Sequence, residues 1–139
     1  MKPIIEGDDD FKIKTLEALI VITYKAEEKF NNVLKYIGRI KQGEQSGVHE
    51  SANPPTFIVG KSTYFSQKEW YASEIVHSSY HSKLYHDYIE TSKTESEYYS
   101  GEKAEYACLN YQISFLEEIG AEQYLIDTAK SKKNLKNLL

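Results

Sequence analysis

Two histidines four residues apart, His77 and His81, are the side chains of this sequence best placed to bind a metal ion. They lie in residues 70–88, WYASEIVHSSYHSKLYHDY. Because positions i and i+4 share one face of an α-helix, the two imidazoles would converge on a single ion. A helical HxxxH pair is half of a common type of zinc site, although two such histidines can also be buried and hydrogen-bonded without a metal. His86 projects from the opposite side of the helix and cannot share that ion.

A helix over about 66–89 is predicted to carry these histidines. Ser66 followed by Glu69 has the spacing of a capping box, in which the serine accepts a backbone N–H and the glutamate reaches back. Apolar or half-apolar residues then recur at helical spacing, at Trp70, Ile75, Val76, Tyr80, Leu84 and Tyr88.

The candidate for a third ligand is Glu105, in a second predicted helix. A stripe at the spacing of one helical face contains it, formed by Glu105, Cys108, Gln112, Phe115 and Ile119. A carboxylate that points inward is costly unless it is paired or bound to a cation. Glu102, one turn earlier, is the alternative third ligand.

These motifs resemble the gluzincin branch of the zinc metallopeptidases. In that family the first helix reads HExxH, and a glutamate roughly twenty or more residues later completes the metal site. The matching positions are His77, His81 and Glu105, and the resemblance covers roughly residues 56–120. A long helix and then a strand precede the histidine helix, which is also similar to the minimal fold of the family. The resemblance implies a Zn²⁺ site and, with it, hydrolysis of a peptide or amide.

One position departs from the family pattern. The general base of the family is the glutamate directly after the first histidine, and Ser78 stands there. A serine hydroxyl cannot take a proton from zinc-bound water near neutral pH as a carboxylate can. Either the site binds metal without hydrolysing peptides or another acid serves, and Glu74 is the only obvious substitute on this helix.

Composition and charge indicate one domain that binds neither nucleic acid nor a membrane. The 139 residues are 40% hydrophobic and 27% charged, which suits one domain, residues 1–139, with one core. The net charge of −4, without a basic cluster interleaved with aromatic residues outside the tail, argues against a nucleic-acid surface. The start is polar and acidic, and no apolar run reaches the length of a membrane span. We therefore expect a soluble, cytoplasmic protein.

The single cysteine, Cys108, excludes a disulfide within the chain and suits a reducing compartment. Its place on an apolar stripe favours a small core residue over a nucleophile.

The remaining pattern predicts an α+β, mostly helical fold. Residues 1–10 form an irregular or extended lead-in, and residues 15–42 are helical, with a kink or a break into two helices near residues 24–26. A loop that contains His49 follows over 43–55, and residues 56–65 form a short β-hairpin around Gly60 and Lys61. A polar connection over 91–101 lets the Glu105 helix pack against the histidine helix. A short helix over 121–129 and a fraying tail over 130–139 complete the chain.

Two functions from different classes fit this sequence. The first is a zincin-like domain in which His77, His81 and Glu105 hold Zn²⁺, acting either as a hydrolase on a peptide or protein or as a pseudo-peptidase that keeps the metal. The second is a small non-catalytic protein, toxin-neutralising or regulatory, that binds a protein partner through an acidic surface rich in the chain's twelve tyrosines. In the second case the histidines are structural.

Overall fold

The structure, a computed structural model, describes residues 2–91, 99 and 101–138. The predicted polar connection over 91–101 lies largely outside the described residues. The fold is α+β and mostly helical. In chain order the described elements are β1 (Ile4–Glu6), α1 (Asp9–Lys25), α2 (Glu27–Tyr36), β2 (Arg39–Gln42), β3 (Gly47–His49), β4 (Thr56–Val59), α3 (Lys61–Tyr64), α4 (Lys68–Glu90), α5 (Glu102–Glu118) and α6 (Gln123–Leu138).

The first two helices meet at Ala26, where the sequence predicts a kink or break. The carboxylate of Asp8 caps α1 by accepting the backbone N–H of Phe11 at 2.9 Å. This hydrogen bond, followed by one from Gln42, lowers the pKa of Asp8. The helix ends at Lys25, and α2 begins at Glu27 after the buried Ala26. The prediction of two consecutive helices is therefore confirmed.

A four-stranded mixed sheet forms in the order β1-β2-β4-β3. The first three strands in this order are parallel, and β3 pairs antiparallel with β4 at one edge. One row of apolar side chains crosses the whole sheet, formed by Ile5, Ile40, Phe57 and Val48. Ile40 and Phe57 are buried, and the two outer members of the row pack against the same core. This row joins the sheet to the helices.

Residues 39–42 form β2 and not the end of a helix, so this part of the predicted helical stretch is wrong. Ile37 already has extended backbone angles, with φ −122° and ψ 111°. Gly38 then lies directly against Pro54, and a Cβ at this position would overlap the proline ring. The spacing of Ile37 and Ile40 fits a helix, but Ile40 pairs with neighbouring strands on both sides. On α1, Leu16 and Ile20 have the spacing of one helical face, yet both are exposed.

The predicted hairpin has its two strands in the wrong places. Only residues 56–59 are extended, and the antiparallel partner is β3, within the predicted loop. After β4 the carbonyl of Gly60 accepts the N–H groups of Thr63 and Tyr64, which turns the chain into α3. Tyr64 packs edge-on against Phe11, with ring centroids 5.1 Å apart.

Helix α4 is central, since it packs against α1, α2 and α5. Its bounds agree with the prediction to within two residues, but the capping box is wrong. The hydroxyl of Ser66 donates to the carbonyl of Thr63, and Gln67 takes the N-cap position without a side-chain hydrogen bond. At the other end of the core, α6 continues beyond the predicted short helix to Leu138 and packs against α5. No helix within the described residues is long and apolar enough to cross a membrane.

A buried hydrogen bond joins α1 to α4. The Tyr71 hydroxyl lies 2.7 Å from the hydroxyl of Thr15, which itself donates to the Phe11 carbonyl at 2.8 Å. Tyr71 must therefore be the donor. Its side chain is 1% exposed, and this burial raises the pKa of its hydroxyl.

Removing the Tyr71 hydroxyl and removing the Thr15 hydroxyl should lower the free energy of unfolding by different amounts. Tyr71→Phe removes the donor and leaves Thr15 its own bond, so we expect a loss of about 1 kcal/mol in the free energy of unfolding. Thr15→Val leaves the Tyr71 hydroxyl buried without an acceptor and should cost about 1–3 kcal/mol. Urea unfolding of both variants and the double variant measures the difference. Equal losses in the two single variants would contradict this description of the core.

Candidate metal centre

Two neighbouring helices, α4 and α5, bring the candidate metal ligands together. His77 and His81 lie one above the other on α4, with ring centroids 5.0 Å apart. Glu105 and Cys108, three residues apart, lie on the facing side of α5. His77 and Cys108 are buried, whereas the Glu105 side chain is 29% exposed. The sequence-based prediction that Glu105 lies on the inward stripe of α5 is confirmed.

The Glu105 carboxylate contacts both imidazoles. Oε1 lies 3.2 Å from Nε2 of His77, and Oε2 lies 2.8 Å from Nε2 of His81. The hydrogen bonds from His77 and His81 hold the pKa of Glu105 far below its ordinary value, against the opposing effect of burial. A carboxylate held ionised between two ring nitrogens is a ready acceptor for a cation.

The second nitrogen of His77 is held by Gln112, a role that sequence reasoning missed. Nδ1 lies 2.8 Å from the amide oxygen of Gln112. The orientation of this amide is fixed because its nitrogen donates to Ser73 Oγ at 2.8 Å and to Glu74 Oε1 at 3.3 Å. Nδ1 of His77 must therefore be the protonated nitrogen that donates to Gln112. The stripe on α5 placed Gln112 inward, but only the packing of α4 reveals its partner.

Both ring nitrogens of His77 thus face acceptors. Burial alone would lower its pKa, but the hydrogen bonds and charges of Glu105, Glu74 and Gln112 together raise the pKa above its ordinary value. His81 is similar in orientation, since its Nδ1 lies 3.4 Å from the backbone carbonyl of Tyr99. In both histidines a carbonyl holds Nδ1 and turns Nε2 toward Glu105. Metal-ligating histidines are commonly oriented in this way.

Cys108, which the sequence analysis predicts to be a small core residue, lies in a cluster with His77 and His81. One ring nitrogen of each histidine and the sulfur of Cys108 all lie within 4.8 Å of one another. The cysteine is free and fully buried. Burial raises the pKa of its thiol, and the charges of Glu105 and Glu50 raise it further. Without a cation it is a neutral thiol, which agrees with the prediction that it is not a nucleophile. The signal for a ligand role was its spacing of three residues from Glu105.

The other predicted site residues are placed differently. Glu102, the alternative third ligand, is exposed at the start of α5, and among the described residues both ion pairs to the histidines come from Glu105. Ser78, at the position of the general base, is buried. Glu74, the substitute base, accepts a hydrogen bond from the Gln112 amide.

The tyrosines near α4 pack mainly against one another. Tyr80 stacks on Tyr111 with ring centroids 4.5 Å apart, and Tyr85 and Tyr88 lie 5.0 Å and 4.9 Å from Tyr99. Tyr98 lies outside the described residues. His86 hydrogen-bonds the backbone carbonyl of Ser82 at 2.7 Å, on a different side of α4 from the cluster.

Comparison of the chain with protein-family models, curated proteins and solved structures finds no match. The case for a function therefore depends on the geometry of this centre.

Removing the Gln112 amide should destabilise the metal-free protein. Gln112→Leu preserves the approximate volume but leaves Nδ1–H of the buried His77 without an acceptor, so we expect a loss of about 1–3 kcal/mol in the free energy of unfolding. Ser73→Ala, the control, removes only one acceptor from Gln112 and should cost less. Urea unfolding gives both values, and ¹⁵N NMR of the histidine rings reports whether Nδ1 remains protonated. A Gln112→Leu protein as stable as the wild type would show that the amide does not hold the imidazole.

Proposed function

We propose that this chain is a zincin-like metal-binding domain that holds Zn²⁺ between α4 and α5 through His77, His81 and Glu105. One observation carries the proposal: both imidazoles direct Nε2 at the same carboxylate while carbonyl oxygens hold Nδ1. Two histidines oriented in parallel toward one anion leave a place for a cation.

The donor atoms and their spacing fit zinc. Imidazole nitrogen and carboxylate oxygen are ordinary zinc ligands, at about 2.0–2.1 Å from the ion. Tetrahedral ligands at that distance are roughly 3.3 Å apart. The two nitrogen–oxygen distances of 3.2 Å and 2.8 Å are close to this value. An ion could therefore enter with small side-chain movements once the bridging protons leave.

The order of elements supports the resemblance to gluzincins. Three helices, α1, α2 and the short α3, and the four strands precede the histidine helix, and the Glu105 helix follows and packs against it. The antiparallel edge strand β3 also contacts α4, as expected of a strand beside the metal centre. This order is a resemblance of architecture, and it supports the metal site more strongly than it supports catalysis.

The residues around the centre favour a metal-retaining domain without peptidase activity. A zinc ion supplies, when bound, a Lewis acid that activates water. The family's route needs a carboxylate beside that water, and the chain has the buried Ser78 there. Glu74 is hydrogen-bonded to Gln112, which holds its carboxylate away from this task. The proposed class is thus a pseudo-peptidase whose partner is a peptide or protein, in a reducing compartment such as the cytoplasm.

A second candidate function, non-catalytic binding of a protein partner, is favoured by an apolar stripe on α1. Its members are exposed and lie on one side of the helix: Ile13, Leu16, Ile20 and Tyr24. Exposed apolar stripes of this kind often mark sites of protein interaction. The two functions are separable, because Leu16→Glu with Ile20→Glu would change partner binding or self-association and leave metal content unaltered.

Elemental analysis of the purified, untagged protein tests the metal site. We expect about one zinc ion per chain, lost in a His77→Ala/His81→Ala double variant that removes both nitrogen ligands. His49→Ala is the matched control, since His49 is exposed on β3 and should leave the zinc content unchanged. Zinc retained in the double variant, or absent from a wild-type protein dialysed against zinc, would refute the site. The histidines would then be structural.

A further inference from the structure

Cys108 forms, with His77 and His81, a group of donor atoms that could hold a metal ion, and Glu105 is not a member of this group. Its sulfur and the two imidazoles form a cluster within 4.8 Å, and Glu105 contacts the same imidazoles from one turn earlier on α5. A nitrogen and a sulfur bound to one tetrahedral zinc ion are roughly 3.5 Å apart. The sulfur would therefore have to move at most about 1.3 Å closer to the nitrogens. A change of the cysteine rotamer and small movements of the neighbouring side chains can supply this distance.

We propose that Cys108 fills the fourth coordination position, so that the ion is enclosed by two histidines, one glutamate and one cysteine and has no open site for water. This inference rests on the proposed zinc site and specifies its type. Zinc sites with four protein ligands are structural, whereas catalytic sites keep one position open. The ion would join α4 to α5 and perform no hydrolysis.

Charge balance favours this ligand set over three ligands and a water molecule. Two neutral imidazoles, one carboxylate and one thiolate carry a total charge of −2, which neutralises Zn²⁺. With water in place of the thiolate the centre would keep a net charge of +1 beside the fully buried Cys108, and such a charge is costly. The thiol proton is released to solvent as the sulfur–zinc bond forms, because coordination deprotonates a thiol.

The surroundings of Cys108 support a closed centre. The residue is 0% exposed, and its sulfur lies within 4.8 Å of a ring nitrogen of each histidine. Sulfur is a soft ligand that suits zinc and excludes hard cations such as magnesium. Ser78 is consistent with the same inference, since an enclosed ion has no water from which a base could take a proton.

Cobalt substitution tests the inference on the wild-type protein. Co²⁺ bound to a thiolate gives a sulfur-to-cobalt charge-transfer band in the near ultraviolet, which nitrogen and oxygen ligands alone do not give. We expect this band in the wild type, and we expect added azide to leave the spectrum unchanged because no position is open. Cys108→Ser should remove the band. Cys108→Ala should make the spectrum respond to azide and weaken zinc binding, measured by chelator competition, by about a hundredfold or more.

A matched control separates ligand loss from core damage. Ile113→Val trims another buried side chain of α5, on a different face from Cys108, without removing a donor atom. It should leave the band and the zinc dissociation constant unchanged.

The two proposals fail in different ways. Histidine-dependent cobalt binding without the charge-transfer band, or with an azide response in the wild type, would overturn the closed site and leave the metal site intact. A wild-type protein that binds no cobalt or zinc would overturn both. Because the decisive spectra are those of the wild type, the test does not depend on any variant folding.

Discussion

The ionised carboxylate of Glu105, held between two imidazoles, is the interaction on which the interface between α4 and α5 depends. A carboxylate at a helix interface must be compensated, and the compensation here comes from two ring nitrogens on the facing helix. The contacts continue from His77 through Gln112 to Ser73, so a connected polar chain runs along the interface. In low-dielectric surroundings such a chain fixes the relative position of the helices, because every member would lose a partner if they shifted.

The rest of the fold holds α4 in the position that this chain requires. The sheet is joined to the core by the apolar row through Ile40 and Phe57, and α1 is tied to α4 by the bond between Thr15 and Tyr71. Small side chains on α4 let its neighbours approach. Ser82 even donates to the carbonyl of Tyr36 on α2 at 2.7 Å. A helix fixed on several sides holds its imidazoles in one orientation, which is the preorganisation that a metal site needs.

The helical periodicity of the sequence predicts α4 and α5, the two helices that carry the candidate metal centre. The stripe through Glu105 and Gln112 was recognisable because a long helix repeats the same face several times. The strands were harder, because Ile37 and Ile40 fit helical spacing as well as they fit a short strand, and the deciding contact of Gly38 with Pro54 is distant in sequence. Residues 47–49 were assigned to a loop because three residues carry too little pattern. The role of Gln112 could not be predicted, since it depends on which helix packs opposite.

Two departures from a hydrolytic zinc site lead to the same conclusion from different elements. On α4 the position of the general base is Ser78, which removes the group that would activate water. On α5 the buried Cys108 brings a thiol within 4.8 Å of both imidazoles, and in the proposed closed site this thiol takes the position of the water. Either change alone would impair hydrolysis. Together they would give a centre in which the ion has a structural role and joins two helices. The ligands that would retain the metal, His77, His81 and Glu105, are all present and mutually oriented. In the proposed centre the ion would therefore add a cross-link between α4 and α5 to the hydrogen bonds that already join them.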